Sequence, residues 1–298
     1  MNTVKTAKLK MFTAMFIFGT IGLFVRNIAL PSSVIALVRG TVGMLFLVGV
    51  ILIRKTSLSL ESIRRNLLWL ILSGGFLGFN WILLFESYRY TTVATATLCY
   101  YMAPILVILV SPFVLKEPLT MRKILCVLAA LAGMVGISGI IRSGIPSVQE
   151  GKGILLGLAA AILYAGVVLM NKRIQDISAY DKTVVQLGIS ALLLLPYCLA
   201  TAQMGSLAFE MKTLLLLLFV GVVHTGLTYF LYFGALEHIS GQSAAIISYI
   251  DPVVAVLASV LILREPMLLS EGIGTLLILG AALISELPEA KAGKEQQR

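Results

Sequence analysis

The chain has 298 residues, 59% of them hydrophobic and only 12% charged, with a mean hydropathy of +0.99. A soluble domain carries about 25% charged residues, so an ordinary water-soluble fold is excluded and lipid is the expected solvent. The formal charge of +9 would suggest an anionic polymer partner in a soluble protein, but here the basic residues follow the loops, and no nucleic-acid partner is expected.

A spanning helix needs roughly 20 apolar residues. Breaking the chain at charged and Gly/Pro/Ser-rich punctuation predicts ten spans, near 9–28, 33–53, 66–88, 92–114, 121–141, 153–172, 182–203, 213–235, 241–263 and 268–286. The first run, Leu9 to Val25, lacks a small-residue cleavage site and continues to Arg26, so it reads as a membrane helix rather than a signal peptide. Only the first few residues and the tail after the tenth span read as disordered.

In the second span Arg39 lies about two turns from the outer end, shallow enough to snorkel. Glu86, near the outer end of the third span, is its nearest counter-charge, and the two are expected to form a structural or gate ion pair, with direct contact to an anionic substrate as the alternative. Asn80 in the third span, Tyr100 and Tyr101 in the fourth and Tyr164 in the sixth lie at mid-depth. Rings with polar tips suit a pocket for a molecule with apolar and polar parts, although tyrosines are also ordinary packing residues. Pro104 in the fourth span and Pro252 in the ninth are expected helix kinks.

On the eighth span His224, Thr228 and Tyr232 make a polar stripe at helical spacing. A cavity role for His224 stands beside a neutral cross-helix hydrogen bond. Asp251 lies near the bilayer centre, where an aspartate costs roughly 2.5–3.5 kcal/mol on insertion scales. It is read either as a donor to backbone freed by Pro252, or as the site of a substrate amine or a transported proton. Cys99, Cys126 and Cys198 sit in apolar segments and read as buried thiols. No His/Cys spacing suits a metal, and no phosphate loop or nucleophile elbow is present, so neither enzyme activity nor a cofactor is expected.

The same design occurs twice. The stretch from Asn80 to Leu119 aligns without a gap on the stretch from Thr228 to Met267, so that Tyr101 falls on Tyr249, Pro104 on Pro252, Ser111 on Ser259 and Glu117-Pro118 on Glu265-Pro266, all at a shift of 252 − 104 = 148. Residues 1–147 and 148–298 are thus expected to be two five-helix repeats, the second ending in a short cytoplasmic tail. An odd number of crossings turns the second repeat upside down, the architecture of alternating-access carriers. The Glu-Pro pairs read mainly as helix stops, and Gly74, Gly78, Gly133, Gly136, Gly139, Gly153 and Gly157 as sites of close helix packing. Basic residues crowd the loops on the N-terminal side, among them Arg54, Lys55, Arg64, Arg65, Arg122 and Lys123. By the positive-inside rule both termini are expected in the cytoplasm.

With "FGT" in the first span, Arg39 in the second, "YRYTTVATA" before the fourth, a mid-helix proline in spans four and nine, and the "KEP" and "REP" stops, the chain resembles the drug/metabolite transporter superfamily, in particular its ten-helix EamA-type permeases. The resemblance implies two inverted five-helix repeats around a central cavity, and movement of small polar or amphiphilic metabolites, often outward. Glu86, His224 and Asp251 depart from its usual apolar or small residues. The resulting expectation is an all-α polytopic protein of the plasma (inner) membrane, a monomer or weak homodimer. It would carry an amino-acid-like or amphiphilic metabolite by alternating access, in the direction of efflux. A non-transporting membrane sensor or assembly partner and a lipid-headgroup flippase are the alternatives on the same scaffold.

Overall fold

The computed structural model describes residues 3–25, 27–55, 57–87, 89–91, 96, 99–138, 148–202, 210–262, 264 and 269–285. Arg26, Gly139, Glu265, Pro266 and the tail, all singled out from the sequence, lie outside the described residues. The described structure is all-helical, with the successive spans Thr3–Val25, Ser32–Ile53, Leu67–Ser87, a fourth containing Ala103–Val114, Met121–Ser138, Val148–Arg173, Ala179–Thr201, Met211–Leu236, Gly241–Ile262 and Leu269–Ser285. Among the described residues seven are long and apolar enough on their own to cross a membrane. The fourth, fifth and tenth fall short of that measure and gain their place by packing, the fifth on the tenth and the fourth on the sixth and ninth.

Local chemistry explains where spans begin and break. Ser178 and Ser240 each accept a hydrogen bond from the main-chain N–H three residues on, at 3.0 Å, capping the seventh and ninth spans. The fourth span turns at Tyr101–Met102 and the ninth at Tyr249, three residues before Pro104 and Pro252. Each proline lacks an N–H, so the carbonyls of Tyr100 and Ser248 lose their usual donors and the helix opens there. The helix is thus interrupted at equivalent positions in both repeats.

The eighth span departs from a plain α-helix. Val220–Leu227 forms eight residues of π-helix, and the Thr225 and Thr228 hydroxyls donate to the carbonyls of Val220 and Val223, five residues back, at 3.2 and 2.7 Å. The second span lies against it so closely that a Cβ on Gly43 would stand 2.8 Å from Gly226 N, and one on Gly221 only 2.5 Å from Val42 Cβ. Backbone contact of this kind needs glycine on both sides.

Packing obeys the duplication. The first span meets the eighth and ninth, as the sixth meets the third and fourth; the second meets the eighth as the seventh meets the third. Spans two and seven, four and nine, and five and ten pair across the pseudo-two-fold axis. Exchanging each span for its repeat partner maps these contacts onto one another, the arrangement of two inverted five-helix units. Leucines such as Leu192, Leu215 and Leu276 are exposed on the outer surface, where lipid makes exposure cost-free. The three cysteines are free and buried.

Candidate functional site

A cavity of about 200 Å³ lies where the two repeats meet. The first span contributes Met15, Phe18 and Ile21, the second Arg39, the third Trp81, Leu84 and Phe85, and the fourth Tyr100, Tyr101, Ala103 and Pro104. Tyr164, Tyr229, Ser248 and Asp251 complete the wall from the second repeat. The residues from spans one, two and three lie in the halves away from the N-terminus, so the cavity runs from mid-depth toward that opposite side.

Its wall is aromatic. Tyr100 lies against Tyr101 and Tyr164, with ring centroids 6.0 and 5.5 Å apart, and Trp81 faces Tyr229 at 6.1 Å. Only two of the lining side chains are ordinarily charged. The Arg39 guanidinium sits 4.7 Å over the Trp81 ring, with the Tyr229 hydroxyl nearby. Its Nε is buried and has no protein partner. Asp251 has the Tyr101 hydroxyl within hydrogen-bonding reach. A Cβ on Gly19 of the first span would stand 2.5 Å from the Asp251 carbonyl, so the first span touches the kink itself.

The charged residues break the repeat symmetry of an otherwise matched wall. Trp81 and Tyr229 are repeat equivalents (229 − 81 = 148), as are Tyr100 and Ser248. Asp251, however, falls on Ala103, and the same shift carries Arg39 to Leu187. The scaffold repeats without either charge.

Of the residues expected from sequence, Arg39, Tyr100, Tyr101, Pro104, Tyr164 and Asp251 meet in this cavity. Asn80 does not line it but stands behind the wall, fully buried, exchanging hydrogen bonds of 3.4 Å with the Tyr100 hydroxyl and donating to the Ala160 carbonyl at 3.2 Å. Thr228 is spent on the π-helix, and buried Pro252 shapes the kink without lining the cavity. His224 also lies outside the wall, clustered with the rings of Phe24 and Phe219 at 5.0 and 5.5 Å. The Thr20 hydroxyl lies 2.8 Å from Ile17 O and 3.1 Å from His224 Nε2, which joins the first span to the eighth, and the buried His224 Nδ1 has no hydrogen-bond partner. The cross-helix reading of His224 therefore replaces the cavity reading in this conformation.

The expected Arg39–Glu86 pair is also corrected. Glu86 pairs with Arg89 at 3.1 Å and accepts from the Tyr197 hydroxyl at 3.1 Å, while Arg39 turns to Trp81. A partner three residues away on the same helix end costs less to reach than one across the bundle. The sequence reading missed Phe18, Trp81, Tyr229 and Ser248. The repeat held a signal for the last three, because Trp81 and Tyr229 are repeat equivalents, and Ser248 is the equivalent of Tyr100.

On the side bearing the N-terminus polar contacts join the two repeats, and others tie spans within the second repeat. The Glu117 carboxylate accepts from the main-chain N–H groups of Gly241 and Gln242 at 2.7 and 3.1 Å, at the start of the ninth span. The Gln242 side chain donates to Ser111 Oγ at 2.6 Å and accepts from Lys123. Lys172 Nζ donates to the carbonyls of Leu236 and Ile239 at 2.8 and 2.7 Å, and the fully buried Lys182 pairs with Glu237 at 2.8 Å. Glu117 thus does more than end a helix. It ties the fourth span to the ninth.

The model of the EamA-like transporter family matches residues 5–139 and 151–286. The chain belongs to the EamA-like transporter family. It is a membrane transporter rather than an enzyme, in the drug/metabolite transporter superfamily, with duplicated halves. Among its relatives, the uncharacterized transporter YxxF of Bacillus subtilis (strain 168) is 33% identical over 253 residues, covering 84% of this chain and 80% of that protein. An uncharacterized transporter of Archaeoglobus fulgidus is 27% identical across 90% of this chain and 92% of its own. The uncharacterized inner membrane transporter YicL of Salmonella typhimurium is 27% identical over 210 residues, 68% of this chain and 67% of that one. A crystal structure at 20% identity superposes with a TM-score of 0.84 over 94% of this chain and 97% of the other, which supports the fold alone.

Proposed function

We propose that this transporter carries a small zwitterionic, amino-acid-like metabolite with an apolar side group, by alternating access through the cavity between its repeats. The observation that supports this reading most is the pairing of Arg39, whose buried Nε has no protein partner, with Asp251 in one aromatic-walled cavity. A carboxylate on Arg39 and an ammonium on Asp251 would satisfy both charges, which are costly to hold alone at this depth. The rings would cover the apolar part. At about 200 Å³ the cavity sits below the 300–1,000 Å³ range of drug-sized sites, which favours a small metabolite over a bulky drug.

In this reading the present conformation is closed on the N-terminal side by the inter-repeat contacts of Glu117 and Gln242, and transport requires those contacts to part. Basic loops argue for cytoplasmic termini and hence a cytoplasmic closure. Outward movement across the plasma (inner) membrane is the direction that the family resemblance implies, with the chain acting as a monomer or weak homodimer.

The test is thermal stabilisation of the purified protein by apolar amino acids, by their esters and by their N-acyl forms, since a ligand that binds only the folded state raises apparent stability. Stabilisation by the free zwitterions alone, followed by their counterflow in liposomes, is the expected result. Equal stabilisation by esters and N-acyl forms would overturn the zwitterion assignment.

A further inference from the structure

The fifth and tenth spans form one antiparallel pair that is closed at one end and open at the other. Near the C-terminal end of the fifth span, a Cβ on Gly133 would lie 2.6 Å from the Gly274 carbonyl and one on Gly136 would lie 2.8 Å from the Ser270 carbonyl. Glycine lets the backbones touch there. At the other end a Cβ on Gly280 would meet nothing within 4 Å. Residues of both helices at this end line a groove of about 520 Å³.

The walls of the groove are apolar, formed by Leu125, Cys126, Ala129, Leu276 and Ile284 among others, and Arg122 stands at its mouth. Arg122 occupies the first turn of its span, Met121–Ser138, so it lies at the level of the lipid headgroups. Lys123 adds positive charge beside it while bonded to Gln242. The repeat supplies an internal comparison. The equivalents of Arg122 and Lys123 are Ser270 and Glu271, at the end where the pair is sealed. A basic mouth and an open groove occur together, and both are missing from the related end.

We propose that this groove is a binding site for an anionic phospholipid, with an acyl chain between spans five and ten and the phosphate at Arg122. An apolar channel alone would accept any lipid tail, but a guanidinium at headgroup depth favours a net negative headgroup over a zwitterionic one. The site is separate from the central cavity, which shares no lining residue with it, and it does not depend on the substrate assigned above.

The experiment is native mass spectrometry of the purified full chain, titrated with phosphatidylglycerol and with phosphatidylethanolamine of identical acyl chains. Wild-type protein should retain phosphatidylglycerol roughly fivefold better, the selectivity that about one basic side chain at the surface provides. Arg122→Gln should erase the preference. Gly280→Leu fills the groove where no atom stands in the way, and should lower retention of both lipids, with the melting temperature of the lipid-free protein confirming the fold. Equal retention of the two lipids by the wild type, or a preference that survives both substitutions, would overturn the proposal. So would a dimer that dissociates on Gly280→Leu, because the groove would then be occupied by a second copy.

Discussion

The Tyr249 hydroxyl donates to the main-chain carbonyl of Tyr101 at 3.1 Å, and these two tyrosines are the same residue of the two repeats, 148 positions apart. Their rings lie 6.4 Å apart, with Trp81 and Tyr229 making a second such pair at 6.1 Å. Residues related by the duplication can touch only beside its axis. The break in each kinked span and the aromatic wall of the cavity therefore meet on the line that relates the two halves.

Glu117 is expected to hold the N-terminal side closed. Glu117→Gln keeps the shape but removes the charge from two hydrogen bonds, and charge-assisted bonds are roughly twice as strong as neutral ones. We expect labelling of a cysteine placed at Ser248, in a background without Cys99, Cys126 and Cys198, to rise about tenfold from the N-terminal side, as a shift of ~1.4 kcal/mol would give. An unchanged rate would return Glu117 to the role of a helix stop.

Asp251→Asn should yield a folded protein, because the equivalent position in the other repeat is Ala103 and the scaffold does not require a carboxylate. Binding of a substrate bearing an ammonium group should fall by about 10- to 100-fold, the range for losing a charged hydrogen bond of ~1.5–3 kcal/mol. Calorimetric titration of wild type and variant measures this directly. Equal affinities would leave the residue with a purely structural role at the kink.

Arg39 and Glu86 should behave as independent residues. Each has other partners, Trp81 for one and Arg89 with Tyr197 for the other. The stability losses of Arg39→Gln and Glu86→Gln should therefore add to within about 0.5 kcal/mol in the double variant. Glu86→Gln alone should cost little, since its partner Arg89 is solvent-exposed and the amide can still accept from Tyr197. A coupling clearly above that limit would restore the direct gate pair.

Lys116 and Arg264 occupy equivalent places in the repeats, 264 − 116 = 148, and both adopt positive φ, 56° and 57°. With five crossings between them they should lie on opposite sides of the membrane. Single cysteines at these positions, probed with an impermeant reagent in intact cells, should label only at position 264 if the termini are cytoplasmic. Labelling of both from one side is incompatible with inverted repeats.

Much of the candidate site was legible because depth and repetition are one-dimensional. Distance from a span end places Arg39 and Asp251 within the bilayer, and the cost of burying charge in hydrocarbon makes such residues conspicuous in any apolar run. Pro104 and Pro252 announce their own kinks by lacking an N–H. Direction around the helix was not legible. The stripe of His224, Thr228 and Tyr232 assumed an unbroken 3.6-residue turn, but the π-helix from Val220 to Leu227 changes the rotation per residue, and His224 meets Thr20 outside the cavity wall.

Apolar content, the 148-residue shift and the count of crossings determined by themselves that this is a duplicated helical membrane protein, because hydropathy acts on each segment separately. Only the tertiary structure decided that Arg39 stacks on Trp81 instead of pairing with Glu86, that Trp81 and Tyr229 face each other, and that Glu117 caps the ninth span. Those contacts join residues far apart in the chain. They depend on how the helices are rotated and kinked against one another, and each side chain takes whichever partner that packing brings within a few ångströms.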